Sequence, residues 1–327
     1  MDWTLYPIQE FQTYKEQWDQ LNQHTFRAPT LDSAFVVPAL KHLSSGNEKL
    51  ALYGNPQQPI AAAILQKDKF GAWSTFQPSQ NPLGCWLQDQ TTDTEMLTKK
   101  LIKKIPGLCL VIGITQQDPN LQPLPPQSSC LSTIDYIRTA RVPASGSFED
   151  YWAARGKNLR QNLRRQRNRL TKEQTEINLK CITDADQIRD AVTAFGVLES
   201  AGWKNQSGTA VNANNAQGRF YTEMLEAFCR KNQGRIYQYW YDEKLVSSEL
   251  CITGGDEIII LKTTYDETIK TSSPTMLMRK EVFEMIFSEA GLSSIEFYGS
   301  VMDWHTKWTD DIRTMYHTNI YRYRLFS

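Results

Sequence analysis

Asp303, Trp304, His305, Thr306, Lys307 and Trp308 follow one another without interruption, the densest polar and aromatic run in the sequence. The run comes after a strand-like SIEFYGS segment and its glycine turn, a place where a scaffold often presents functional loops. His305 would exchange protons near neutral pH. Lys307 would hold a phosphate or a carboxylate, and Asp303, Trp304 and Trp308 would line a substrate pocket. Glu249 stands among apolar neighbours in LVSSELCI, on the same strand face as Ser247 and Cys251 by simple alternation. A carboxylate beside buried surface can have a raised pKa and serve as a general base. Tyr265 closes the following strand, and Trp203 sits with Lys204 and Asn205 in a polar loop. Each has a plainer reading: a solvent-facing carboxylate, a rim tyrosine, a packed tryptophan, an anchor for the C-terminus.

A second constellation concerns anions. Ser273 is a good helix cap and Pro274 suits the first helical position. The first turn, 274–277, carries no acid, Lys270 precedes it, and Arg279 and Lys280 follow. Unpaired N–H groups without a resident carboxylate can hold a phosphate, so Lys270, Thr271, Ser272, Ser273, Thr275 and Met276 form a candidate binding stretch. An ordinary capped helix has the same features. The six cysteines are scattered, with no C-x-x-C pair and no pairing with the four histidines, so no metal is expected. Nor does any histidine stand near Cys251 in sequence to activate it as a nucleophile.

These residues must be positioned by elements whose order occurs twice. KLALY, PIAAAIL and AWSTF are short apolar runs, followed by the helix-patterned TDTEMLTKKLIKKI and the buried-strand candidate LCLVIGI. RIYQYWY, LVSSELCI and EIIILKTTY repeat the meander, followed by PTMLMRKEVFEMIFSEAGL and SIEFYGS. The expected fold is mixed α/β (α+β), with two similar domains, each a mostly antiparallel mixed sheet flanked by helices. The Pro-, Gln- and Ser-rich 116–130 segment joins them, giving domains at 1–140 and 141–327. NIYRYRLF reads as a last strand.

Between the halves, a helix over 150–172 starts at Ser147/Glu149/Asp150 and places Trp152, Leu159, Leu163 and Leu170 on a narrow stripe. Eight cations surround the stripe with no acid between Asp150 and Glu173. Repulsion between like charges one turn apart must be offset by packing, by acids elsewhere or by an anionic ligand.

Lys+Arg and Asp+Glu balance at 36 each, so no global field recruits nucleic acid or an anionic membrane. No window is apolar enough to span a bilayer, and the N-terminus lacks a secretory pattern. With thiols in apolar runs, the expected compartment is the cytoplasm.

The motifs together are similar to those of the BioF2-like acetyltransferase family, the branch of the GNAT superfamily related to cellulose-biosynthesis acetyltransferases and Fem-type aminoacyltransferases. The resemblance rests on the basic helix Lys157–Arg165, on Tyr265-Asp266 followed by Ser273-Pro274-Thr275, and on Phe297-Tyr298-Gly299 followed by Thr306-Lys307-Trp308. It covers about residues 30–325. It implies tandem GNAT domains, with acyl-CoA bound mainly by the second, Lys262 and Thr263 joining the donor-binding set, and direct attack by an amine of a small molecule or peptide. The departure is Thr275, where the family often has glycine. That leaves an aminoacyl-tRNA or an acyl-carrier protein as alternative donors, and a non-catalytic binding protein of the same fold as a further reading.

Overall fold

The computed structural model describes residues 1–201, 211–212 and 215–324, so Trp203 lies outside the described residues. The chain forms two compact units, Met1–Thr139 with Arg313–Ser327, and Ala140–Ile312.

The first unit begins with β1 (Trp3–Pro7), α1 (Phe11–His24) and α2 (Ser33–Leu43). An antiparallel meander follows: β2 (Lys49–Asn55), β3 (Gln58–Lys69) and β4 (Gly71–Thr75), with β1 paired to β2. A short β5 (Trp86–Gln88) pairs with β3. Then α3 (Thr94–Lys104) crosses over to β6 (Cys109–Gln117), which runs parallel to β4. Asp93 caps α3 by accepting from Met96 N. Its spacing turns Leu97, Leu101 and Ile102 onto Ala61, Ala63 and Ile112 of the sheet, all buried. The chain passes into the second unit within β7 (Leu131–Pro143).

The second unit opens with two helices, where the sequence suggested one. Ser147 caps α4 (Phe148–Ala153), accepting from Asp150 N at 3.0 Å, and α5 (Lys157–Lys172) restarts after Gly156, which has extended backbone. Leu163 and Leu170 are buried, while Trp152 and Leu159 are half-buried.

The remaining elements repeat the first unit. β8 (Ile177–Ile182), α6 (Ile188–Ser200) and α7 (Ala216–Arg230) lead into the meander β9 (Gly234–Tyr241), β10 (Lys244–Gly254) and β11 (Glu257–Tyr265). β8 pairs antiparallel with β9, as β1 does with β2. Then α8 (Pro274–Phe287) crosses to β12 (Ser294–Glu296), parallel to β11. The inner face of α8 carries Leu277, Met278, Val282, Phe283 and Ile286, all buried.

The last strand, β13 (Ile312–Tyr321), corrects an expectation. Instead of joining the second domain it pairs antiparallel with β6 of the first unit, where His317 Nδ1 accepts from Gln116 N at 2.8 Å. The corresponding neighbour of β12 is the end of β7. Among the described residues, no helix is long and apolar enough to cross a membrane.

Candidate functional site

β11 pairs with β12 only over Glu257–Ile259, and beyond that it continues to Tyr265 beside β10. A cleft of about 660 Å³ opens there. Its walls are Thr263 and Tyr265 of β11, Glu267, Ile269 and Lys270 of the following loop, Ser272–Met276 at the start of α8, and Arg279 with Trp304.

Two devices shape the loop. Burial works against the Asp266 carboxylate, but hydrogen bonds from Lys244 and Thr268 outweigh it and hold the group below the usual range. Thr268 N and Oγ1 donate to it at 2.9 and 2.6 Å, which folds the turn leading to Lys270. At the far end, the hydroxyls of Tyr241 and Ser272 meet at 3.0 Å, and Ser273 N donates to Gln166 Oε1 of α5 at 2.9 Å.

The start of α8 offers fewer free donors than its sequence suggested. Met276 N and Leu277 N both donate to Ser273 O, at 3.0 and 3.1 Å. Thr275 N has no acceptor among the described residues, as befits the second position of a helix. The Thr275 hydroxyl is turned to Ser247 Oγ, 2.9 Å away, so its bulk is directed at β10.

Six of the eight residues expected to bind the donor line this cleft: Thr263, Lys270, Ser272, Ser273, Thr275 and Met276. Thr271 is exposed beside it. Lys262 is not available, because its ammonium lies 2.8 and 3.0 Å from the two oxygens of buried Glu199 on α6.

The expected catalytic set separates. Tyr265 lines the cleft and is 47% exposed. Glu249 is fully buried and salt-bridged to Arg279, with Thr263 Oγ1 donating to it at 3.1 Å. A carboxylate committed to a guanidinium and shut off from solvent cannot serve as the general base. His305 is buried too, its Nδ1 accepting from Met302 N at 2.9 Å and its ring stacked on Trp304 at 3.4 Å. Burial, with the nearby Arg279 charge, pulls its pKa down to about 4, so it stays neutral rather than shuttling protons.

The 303–308 run is mainly an anchor. Trp308 is fully buried, and its carbonyl accepts from Tyr151 OH and Arg155 Nη1, each at 2.8 Å. Asp303 and Lys307 are exposed. Trp304 alone of the run lines the cleft, its ring 4.3 Å from the Arg279 guanidinium carbon. Cys251 is fully buried, which pushes its thiol pKa well up.

Glu267, Ile269, Arg279 and Gln166 were not singled out as site residues from sequence. Glu267 had a signal: it lies in YDETIK, between the strand end and the helix. Among the described residues it is the one carboxylate in the cleft lining.

In the first unit, the equivalent space between β4 and β6 is filled by the chain itself. Gly84 N donates to Thr115 O at 3.2 Å, and the hydroxyls of Thr75 and Thr115 bridge the strands at 2.7 Å. A methyl group at Gly84 would collide with both threonines.

The fold is mixed α/β, and its second unit is similar to a GNAT domain. A family model described as an acetyltransferase (GNAT) domain matches residues 157–306, which includes α5, the cleft and most of the 303–308 run. Among solved structures, the C-terminal domain of a putative lysylphosphatidylglycerol synthetase from Agrobacterium fabrum is similar with a TM-score of 0.60 at 10% identity, over 94% of this chain and 92% of that one. FemX gives 0.55 at 10% identity, over 98% of both chains. L-PGS from Bacillus licheniformis gives 0.54 at 11% identity, over 94% and 91%. A search of curated proteins gives no match.

Proposed function

We propose that this chain is an N-acyltransferase of the BioF2-like branch, with an acyl-CoA thioester lying in the cleft at the end of β11 and an amine as acceptor. The observation that carries the reading is that Thr275, whose N–H has no acceptor among the described residues, and Lys270 line the same 660 Å³ cleft at the start of α8. Both are suited to a diphosphate. The match to a GNAT acetyltransferase model across these residues supports the same donor class.

The chemistry is direct aminolysis. The amine nitrogen attacks the thioester carbon, the C–N bond forms, and the C–S bond breaks to release a thiolate. Glu267 takes the proton from the amine, directly or through one water. Tyr265, at the cleft mouth, is placed to protonate the departing thiolate. The buried Glu249–Arg279 pair fixes Trp304 and Thr263 as walls and takes no proton.

Free-thiol release from acetyl-CoA and longer acyl-CoAs across a panel of amines tests the reading, alongside mass spectrometry for a co-purified thioester. Saturable CoA binding with acyl transfer to at least one amine is the expected result. Absence of CoA binding, or binding with no transfer to any amine, would leave a non-catalytic protein of the same fold.

A further inference from the structure

A second cleft, of about 700 Å³, lies on the other side of α8. From α5 it takes Lys157, Arg160, Gln161, Arg164, Arg167 and Asn168, at spacings of three, one, three, three and one. That is a single helical face over three turns. From α8 it takes Leu277, Lys280 and Glu281, whereas the donor cleft uses Thr275, Met276 and Arg279. At roughly 100° per residue the two sets lie on nearly opposite sides of the α8 axis.

The charges in this cleft do not cancel. Five cations line it against one carboxylate. Glu281 is already engaged, accepting from Arg167 Nη1 and from Tyr239 OH, each at 2.7 Å. Lys280 has its own carboxylate in Glu284, at 3.0 Å. Lys157, Arg160 and Arg164 have no carboxylate partner among the described residues. Successive cations one turn apart repel, and here they do so along an exposed helical face that borders a concave space.

Trp152 forms part of the wall, with Leu163 and Leu277 beside it. One aromatic and two aliphatic side chains among basic ones suit a ligand whose anionic groups are attached to a flat or apolar body. The volume falls within the range of roughly 300–1,000 Å³ usual for small-molecule sites.

We infer that this α5–α8 cleft is a second ligand site, separate from the donor cleft, for a small molecule bearing two or more phosphate groups. The guanidinium groups of Arg160 and Arg164 bind its phosphates, and Trp152 meets the remainder. A concave site of this size favours a small molecule over a nucleic acid backbone, which docks along an extended surface. The inference does not depend on the donor's being CoA.

Calorimetric titration of the full chain with inorganic pyrophosphate, with ADP and with orthophosphate, in the presence and absence of saturating CoA, tests it. Saturable pyrophosphate binding, unchanged by CoA and stronger than orthophosphate binding, is expected. Tighter binding of ADP than of pyrophosphate identifies a nucleoside diphosphate as the source of the phosphates, and equal binding a free diphosphate. Arg164→Gln and Arg160→Gln, each confirmed as folded by its thermal melt, should weaken binding about tenfold, the loss typical of a charge-assisted contact. Competition between pyrophosphate and CoA that both substitutions relieve would make the cleft the tail of the donor site and overturn the proposal. So would tRNA binding abolished by the same substitutions with no saturable pyrophosphate binding. Failure of CoA to bind at all is read separately and bears only on the donor assignment.

Discussion

Arg279 reaches from α8 to Glu249 of β10 to form an ion pair in which the two side chains are 2% and 0% exposed. Arg279 Nε donates to Glu249 Oε1 at 3.1 Å, and Thr263 Oγ1 joins both groups, at 3.1 Å from the carboxylate and 3.2 Å from the guanidinium. The other carboxylate oxygen is buried without a partner. A pair of this kind has opposite consequences when halved and when removed. Glu249→Gln or Arg279→Met alone should lower stability by about 3–5 kcal/mol, because an uncompensated buried group remains. The double variant Glu249→Leu with Arg279→Met should recover most of that loss. Denaturant titration decides it, and equal mild effects in all three proteins would contradict the arrangement.

The same pair shows where sequence reasoning reached and where it stopped. Alternation in LVSSELCI correctly put Glu249 on one face with Ser247 and Cys251. It could not show that an arginine thirty residues later, on the next helix, would cover that face. The start of α8 was legible because helix-start chemistry is local: Pro274 takes the first helical position, although the Ser273 side chain makes no capping hydrogen bond, and Ser273, Pro274 and Thr275 lie in the cleft wall. The 303–308 run misled because composition does not report burial. Its Trp308 fills the space between α4 and α8, with ring centroids 6.0 Å from Trp152 and 5.0 Å from Phe283. The doubled meander was read from its period-two patterns, yet the pairing of β13 with β6 is a long-range choice that no local signal encodes.

Glu267 provides a direct test of the proposed chemistry. If it accepts the amine proton, Glu267→Gln should reduce kcat by about 100-fold or more, with little change in the KM for the thioester. Steady-state kinetics at saturating and subsaturating thioester measure both. A variant with normal kcat would return the proton to bulk solvent.

Donor binding should depend on Lys270 more than on the Thr275 side chain. Lys270 is exposed at the cleft edge, so its charge acts through partly screened solvent. Lys270→Gln is expected to weaken CoA binding by about three- to tenfold, with a shallower salt dependence. The Thr275 hydroxyl already faces Ser247, and the backbone amide at this position survives any side-chain change short of proline. Thr275→Val should therefore alter CoA affinity by less than about threefold. A much larger loss from Thr275→Val would mean that the hydroxyl leaves Ser247 for the donor.

His305 predicts an acid weakness. Its pKa is about 4 in the folded chain against an ordinary value of 6.5. The folded protein therefore binds fewer protons than the unfolded chain between those values, and stability rises with pH across the interval. The contribution is complete above pH 6.5 and is lost as pH falls toward 4, amounting to about 3 kcal/mol at most. His305→Asn keeps an acceptor for Met302 N but cannot titrate. Its stability should vary less with pH between 6.5 and 4 than that of the parent, as read from denaturant midpoints. Parallel curves for the two proteins would remove His305 from the account.

The filled groove of the first unit bears on how many donors one chain can hold. Both units carry a meander, a crossover helix and a parallel strand, so sequence order alone would allow two thioester sites. In the first unit the backbone at Gly84 occupies the space between β4 and β6, donating to Thr115 O, and Thr75 Oγ1 accepts from Thr115 N at 3.0 Å. No entering pantetheine could displace these contacts without exposing buried polar groups, each costing about 1–3 kcal/mol. CoA should therefore bind with a stoichiometry of one per chain in a calorimetric titration. Gly84→Ala forces a methyl group against the Thr115 carbonyl and the Thr75 hydroxyl and should destabilise the protein by about 1–3 kcal/mol, leaving that stoichiometry unchanged. Two equivalents of CoA bound by the parent protein would mean that the segment around Gly84 opens, and that the first unit keeps a working groove beneath it.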